Sequence, residues 1–363
     1  MSVFSWGANS HGQLGLGFEN ELCSSPQRLS RVPFNPVTIQ SIKGGGGHVL
    51  VLDKGGCIFA CGWNNRGQLG IGNIQDQNEF VPVSVESLDG PRVKGIACGW
   101  DSSGAVTKDK QLYMWGSNSF QQLGVCQRGF AFVTEPMHVS LPRNEGAIRL
   151  SIGLRHAAIL TDDNKLYVFG RLRFGDSHPG IIIKLIPFNK GQIYKLQPEI
   201  NVKQIISGQN HLIMSDGHKI LGLGENKYGQ VNMFTFDTAI VQIASGWTHN
   251  GIVTTVAPGA TKEVYLWGRN CYGQVGGDSQ EVIPAPNKLE LADNHRPEEL
   301  HLGSEHGMLL TDKGAVFTWG WNEHGNCGNG DVENVYQPTL IELPSACIMA
   351  GTGAGFCYAI CTE

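Results

Sequence analysis

The sequence predicts an all-β chain closed into a seven-bladed propeller, on three observations. Trp-Gly, or a softened form of it, recurs at Trp6-Gly7, Cys61-Gly62, Trp115-Gly116, Phe169-Gly170, Leu223-Gly224, Trp267-Gly268 and Trp319-Gly320, in steps of 55, 54, 54, 54, 44 and 52 residues. A second marker, Gly-x-x-His, keeps the same rhythm at His48, His156, His211, His249 and His306, with Ser102 and Phe356 in its place twice. The chain opens on a Trp-Gly half and closes on a Gly353-Ala354-Gly355-Phe356 half, and the two halves together make one unit. Two markers with one period identify a repeat architecture.

Within a unit, Gly303–His306 reads as a turn and Gly307–Leu310 as a short apolar strand. Thr311–Gly314 is a hairpin turn, Ala315–Gly320 the next strand, and Asn322–Gly325 turns again. The apolar runs are too short for helices and are bounded by Gly-rich turns. A Pro-containing stretch follows, as in Phe80-Val81-Pro82-Val83 and Tyr336-Gln337-Pro338-Thr339. Pro is tolerated at a sheet edge, so this stretch is the outer strand. Four short antiparallel strands per unit make a propeller blade. Residues 1–363 are expected to form a single domain, with the N-terminal strand 3–6 pairing beside Cys357–Cys361 and removing the open edges.

Composition bounds the function. Apolar content of 41% supports a sizeable core, and 49 glycines suit many tight turns. A formal charge of −5 without a Lys/Arg run argues against a nucleic-acid surface. No window approaches the roughly 18 apolar residues of a membrane span, and the first residues enter the repeat without a signal-peptide core. The ten cysteines lack a small-scaffold framework and are expected to be reduced and buried, with Cys57 and Cys61 filling core on one strand face.

The combination of Gly-x-x-His, a short strand, Trp-Gly-x-Asn and Gly-Gln-Leu-Gly, as in Trp6-Gly7-Ala8-Asn9-Ser10-His11-Gly12-Gln13-Leu14-Gly15 and Gly67-Gln68-Leu69-Gly70, resembles the regulator of chromosome condensation repeat family. The resemblance is strongest to a secretion-linked guanine nucleotide exchange branch of that family. It implies a protein-interaction propeller that promotes nucleotide release from a small GTPase. The implied partners are that GTPase and secretory machinery such as an exocyst component, in the cytoplasm and nucleus, with the chain a monomer. A non-catalytic adaptor is the alternative. The family's chromatin-associated exchange factor carries a basic tail and a protruding β-hairpin. This chain has no such tail, and its nearest candidate for a hairpin is the divergent stretch Arg171–Ile200. A plant ultraviolet-B-sensing relative uses Trp in the same turn, but here only Trp100 and Trp247 occupy that site.

No chemical active site is expected. The five repeat histidines lie one per blade, so each ring is expected to bond backbone inside its own blade, as buried polar groups must. No Cys-x-x-Cys pair supports zinc, no Lys-Ser/Thr follows Gly44–Gly47 as a phosphate loop requires, and no nucleophile elbow appears. No cofactor or metal is expected. Gly44–Gly47 reads as a turn needing positive φ and close packing near the ring centre. Trp6, Trp115, Trp267 and Trp319 are expected in the core. Function is expected in the variable pairs of the Gly-x-x-His turns, which a propeller gathers on one face. The candidates are Trp100, Asp101, Arg155, Gln209, Asn210, Trp247, Thr248, Ser304 and Glu305, a hot-spot composition.

Overall fold

The computed structural model describes residues 1–83, 93–125, 130–174, 178–189, 191–277, 280–292 and 295–362. Seven antiparallel sheets form the blades of a propeller. We number the blades from the first complete one. Blade 1, for example, runs Ile39–Gly44, His48–Asp53, Ile58–Gly62 and Gln77–Pro82 from channel to rim. The Pro-containing stretches do form the outer strands, as Gln77–Pro82 and Val335–Leu340 show.

Blade 7 is a composite. Cys347–Thr352 and Phe356–Cys361 supply its inner strands, while Ser2–Ala8 and Leu22–Arg28 supply the outer pair. Ser2 stands opposite Cys361 and Gly7 opposite Phe356, so the two ends of the chain close the ring.

The core is divided into seven apolar clusters, each wedged between neighbouring blades. A middle strand therefore has both faces covered, and Ser102–Thr107 and Leu112–Ser117 are buried throughout. This is why the sequence shows short continuous apolar runs instead of alternation. Trp6, Trp115, Trp267 and Trp319 are fully buried in these wedges. Cys61 fills core as expected, but Cys57 does not, because it is exposed at the hairpin turn preceding Ile58–Gly62. Cys23, Cys98 and Cys271 are also only partly buried, and Cys126 lies outside the described residues.

Blades 3 and 4 depart from the common pattern. Blade 3 has five strands, because Ile181–Phe188 and Gly191–Pro198 form a long hairpin whose second strand pairs with Leu166–Gly170 and whose first strand lies at the rim. This hairpin occupies the divergent stretch Arg171–Ile200, of which residues 175–177 and 190 lie outside the described residues. Its tip is docked: Phe188 stacks on Phe169 at 5.3 Å and Asn189 Nδ2 donates to the Gly124 carbonyl. In blade 4 the outer strand shrinks to Phe234–Thr235, which accounts for the short 44-residue step.

Candidate protein-docking face

The Gly-x-x-His turn is closed by its first glycine N–H donating to the carbonyl of the histidine position, at 2.7–2.9 Å from Gly45 to Gly353. A Cβ on Gly45 would stand 2.3 Å from His48 Cε1 and 2.4 Å from the Gly99 carbonyl oxygen of the next blade. Space, not backbone conformation, therefore demands glycine here: none of Gly44–Gly47 has a positive φ, which corrects the expectation from sequence. Positive φ is found instead at the Trp-Gly glycines, from Gly7 to Gly320. There a Cβ would strike the carbonyl of the second variable residue, as Gly62 would strike Gly47 at 2.4 Å.

The histidines bridge blades. His48 Nε2 meets Ser103 Oγ at 2.9 Å, His211 Nε2 meets Asn250 Oδ1 at 2.8 Å, and His306 Nε2 meets Cys357 Sγ at 3.3 Å, each in the next blade. The expected bonds to backbone of the same blade are not what the rings make. The reason is positional: the ring points across the junction at the residue following the neighbour's histidine position. Where that residue is Leu212 or Gly307, the rings of His156 and His249 find no protein partner. Burial lowers the pKa of His48, His156 and His249 to about 3, and of His211 and His306 to about 4. These are neutral framework groups.

Tryptophans lock the same junctions. The indole N–H groups of Trp115, Trp267, Trp319 and Trp6 donate to the carbonyls of Gln68, Gln230, Gln274 and Asn326 in the preceding blade, at 2.9–3.3 Å. At the junction of blades 7 and 1, where Cys61 replaces Trp, Gln13 O accepts instead from Tyr358 OH of blade 7 at 2.6 Å.

This framework sorts the variable pairs into two rings. Residues at the first position are strung blade to blade by backbone bonds: Gly46 N–H donates to Trp100 O, Leu154 to Gln209, Gln209 to Trp247, Trp247 to Ser304 and Ser304 to Ala354. They surround one mouth of the central channel. At the second position the carbonyls accept from the residue after each Trp-Gly, for example Ser117 N–H to Asp101 O at 2.8 Å and Arg171 N–H to Arg155 O at 2.7 Å.

The side chains then differ in availability. Trp100 and Trp247 meet across the mouth at 5.2 Å, and Trp63 joins Trp100 at 6.5 Å while stacking on His11 at 5.0 Å. Gly46 makes room for this run, because a Cβ there would lie 2.7 Å from the Trp100 ring. Arg155 sits over Phe120 at 4.7 Å. Asn210 Nδ2 donates to Glu225 at 3.2 Å. Asp101 is half-buried, which raises its pKa against the opposing pull of Ser117 and Arg66.

Ser304 and Glu305, by contrast, are buried. Ser304 Oγ donates to Ala354 O, and Glu305 accepts from Arg269 at 3.2 Å, from Thr248 at 3.2 Å and from Gln274. Burial raises the Glu305 pKa, with Arg269 the main opposing charge. Arg269 itself lies between Tyr228 and Tyr272, 5.7 and 5.1 Å from their rings. Thr248, Ser304 and Glu305 thus belong to the scaffold beneath the face.

Sequence reasoning missed an outer set, His11, Arg66, Phe120, Tyr228 and Tyr272, which His324 of the expected loop surface completes. All occupy one place in the unit, two residues before the Gln or Asn of the Gly-Gln-Leu-Gly segment. The signal was available, since five of these six residues carry a ring.

Among the described residues no group of three His, Cys, Asp or Glu is placed to hold a metal ion, and no helix is long and apolar enough to cross a membrane. The face offers aromatic surface, an arginine and hydrogen-bonding groups, which suits binding a protein surface.

A family model described as the RCC1-like domain matches residues 2–359. The chain belongs to that family. It is 32% identical over 402 residues to the secretion-regulating guanine nucleotide exchange factor of Mus musculus, covering 99% of this chain and 83% of the relative. It is 27% identical to the ultraviolet-B receptor UVR8 of Arabidopsis thaliana, over 94% of this chain and 78% of that protein. Its fold is similar to Prp20p from Saccharomyces cerevisiae, with a TM-score of 0.82 at 22% identity over 100% of this chain and 92% of the other. The Prp20p structure is described together with that protein's binding to Gsp1p and histones.

Proposed function

We propose that this RCC1-like propeller is a guanine nucleotide exchange factor for a small GTPase in secretion or membrane traffic. Its GTPase docks on the Gly-x-x-His face. The observation that carries the reading is the aromatic run His11–Trp63–Trp100–Trp247 across the channel mouth, with Arg155 of the blade next to Trp100 lying over Phe120 and free of any ion pair among the described residues. The 32% identity to secretion-regulating exchange factors supports the activity. Exchange needs no chemical group on the propeller. A face that binds the nucleotide-free GTPase more tightly must weaken nucleotide binding by the same factor. Work in the cytoplasm and nucleus, alongside secretory machinery such as an exocyst component, belongs to the same reading.

One observation favours a second reading, a non-catalytic adaptor. The blade 3 hairpin is held against the ring by Phe188 and Asn189 and does not project as a wedge. Release of a fluorescent GDP analogue from a panel of small GTPases separates the two. Exchange requires faster release with the wild-type chain and no acceleration over the intrinsic rate with Trp100→Ala/Arg155→Ala. A GTPase that binds without any change in release rate identifies the adaptor.

A further inference from the structure

We propose that the central channel is a binding site for a small multivalent oxyanion, gripped by Lys43, Lys94 and Arg149. The channel encloses a cavity of about 380 Å³ lined by the innermost strands of the blades. Its wall mixes aliphatic residues such as Ile148 and Leu150 with polar ones such as Ser151, Ser245 and Gln242. Into that wall three consecutive blades each place a cation: Lys43 from blade 1, Lys94 from blade 2 and Arg149 from blade 3.

These three differ from the lysines on the outside of the ring. Lys110, Lys219, Lys262 and Lys288 each hold a carboxylate. Lys43, Lys94 and Arg149 form no ion pair among the described residues. Arg149 donates its Nε to Lys203 O at 2.8 Å, which fixes the guanidinium and leaves its terminal nitrogens without partners among the described residues. Lys43 is accessible to solvent yet surrounded by protein, as a lumen side chain must be. That enclosure lowers its pKa, while Cys98 and Glu299 act the other way. The acid that acts on Lys43, Glu299, is itself drawn to His301 at 3.4 Å, so it offsets Lys43 only in part.

Cations without ion-pair partners on one wall of a protein-enclosed lumen focus the field and concentrate anions there, and the polar wall groups can complete an anion's hydrogen bonds. The arginine fork and the lysine point charges match the oxygens of phosphate or carboxylate groups. Trp100 and Trp247 cover the mouth on the Gly-x-x-His face, so entry is from the opposite side. Lys43 lies two strand positions deeper than Arg149, about 7 Å further along the lumen. A ligand with anionic groups at both ends can reach both levels, as a pyrophosphate or a tricarboxylate can.

The test is titration calorimetry and thermal melting of the full chain with pyrophosphate and with citrate, at constant ionic strength set by NaCl. One saturable site is expected for at least one probe, with a raised Tm, and with affinity reduced at least tenfold in Lys43→Met and in Lys94→Met. The outer-surface control Lys227→Met should bind as the wild type does. Binding of pyrophosphate alone assigns a phosphate ligand, and of citrate alone a carboxylate. No saturable binding of either, or binding unchanged in both variants, overturns the proposal. Should Lys43→Met not fold, the solvent-exposed Lys94→Met carries the test alone.

Discussion

His48 Nε2 lies 2.9 Å from the hydroxyl of Ser103 in the next blade, and that hydroxyl donates onward to Gln68 O at 2.8 Å. The serine has one proton and spends it on the carbonyl, so His48 is the donor and carries its hydrogen on Nε2. Gln68 O also accepts the Trp115 indole N–H, so histidine, serine and tryptophan converge on one carbonyl at the junction.

The convergence predicts coupling. In a double-mutant cycle by urea unfolding, His48→Ala and Ser103→Ala should show an interaction of about 0.5–1.5 kcal/mol, the net worth of one buried hydrogen bond. The same cycle on His156 and Leu212, which share a junction without a bond, should show less. Equal coupling in both pairs would refute a hydrogen-bonded role.

Acid should unfold this ring through its histidines. Their folded pKa values, about 3 to 4, lie below the unfolded value near 6.5. The folded state therefore holds fewer protons, and stability present above the unfolded pKa is lost as pH falls toward the folded one. At pH 5 the loss is about 2 kcal/mol per ring. Unfolding midpoints measured from pH 7.5 to 5 should fall steeply, and His156→Gln should flatten the slope by about one proton. A stability independent of pH over this window would contradict the buried neutral state.

Two glycines should respond in opposite ways to alanine. Gly45→Ala must drive a Cβ into His48 and the Gly99 carbonyl, and should cost several kcal/mol or prevent folding. Gly95 has nothing within 4 Å of its Cβ position and no positive φ. Gly95→Ala should be neutral, or stabilising by about 0.5 kcal/mol through the unfolded chain. Thermal melts of the two variants decide it.

Removing Arg269 should damage stability more than its partly exposed position suggests. Arg269→Ala takes from buried Glu305 its only ion-pair partner among the described residues, 3.2 Å away. Leaving that acid with only Thr248 and Gln274 should cost about 1–3 kcal/mol, and Glu305→Gln should recover part of it in the double variant. If Arg269→Ala melts as the wild type does, the pair is not structural.

The periodic markers made the ring legible from sequence because each encodes a contact every blade must repeat. Trp-Gly supplies the indole donor and the positive-φ glycine, so its spacing counted blades, and its phase located the closure at Ser2–Ala8 and Phe356–Cys361. Direction was not legible. A histidine in a turn does not reveal that its ring points at the neighbouring blade, because that depends on the twist between sheets. Nor did the sequence separate Trp100, which faces the mouth, from Glu305, which is buried beneath it. Both sit in variable pairs, and only the packing of Arg269 and Gln274 distinguishes them. Blade 3 hid its fifth strand because the hairpin is accommodated within the normal repeat length.

The pairing of Ser2 with Cys361 has a consequence for how the chain is made. Ser2–Ala8 waits for its partner Phe356–Cys361 until every intervening blade has been synthesised. Until then blade 7 exists only as two separated hairpin halves, with Trp6 deprived of Asn326 and the edges of Ser2–Ala8 bare. Contacts of such sequence separation are slow to form, so closure is expected to be the late event in folding. A ribosome stalled short of residue 361 would hold an open arc, exposing strand edges of the kind that chaperones guard.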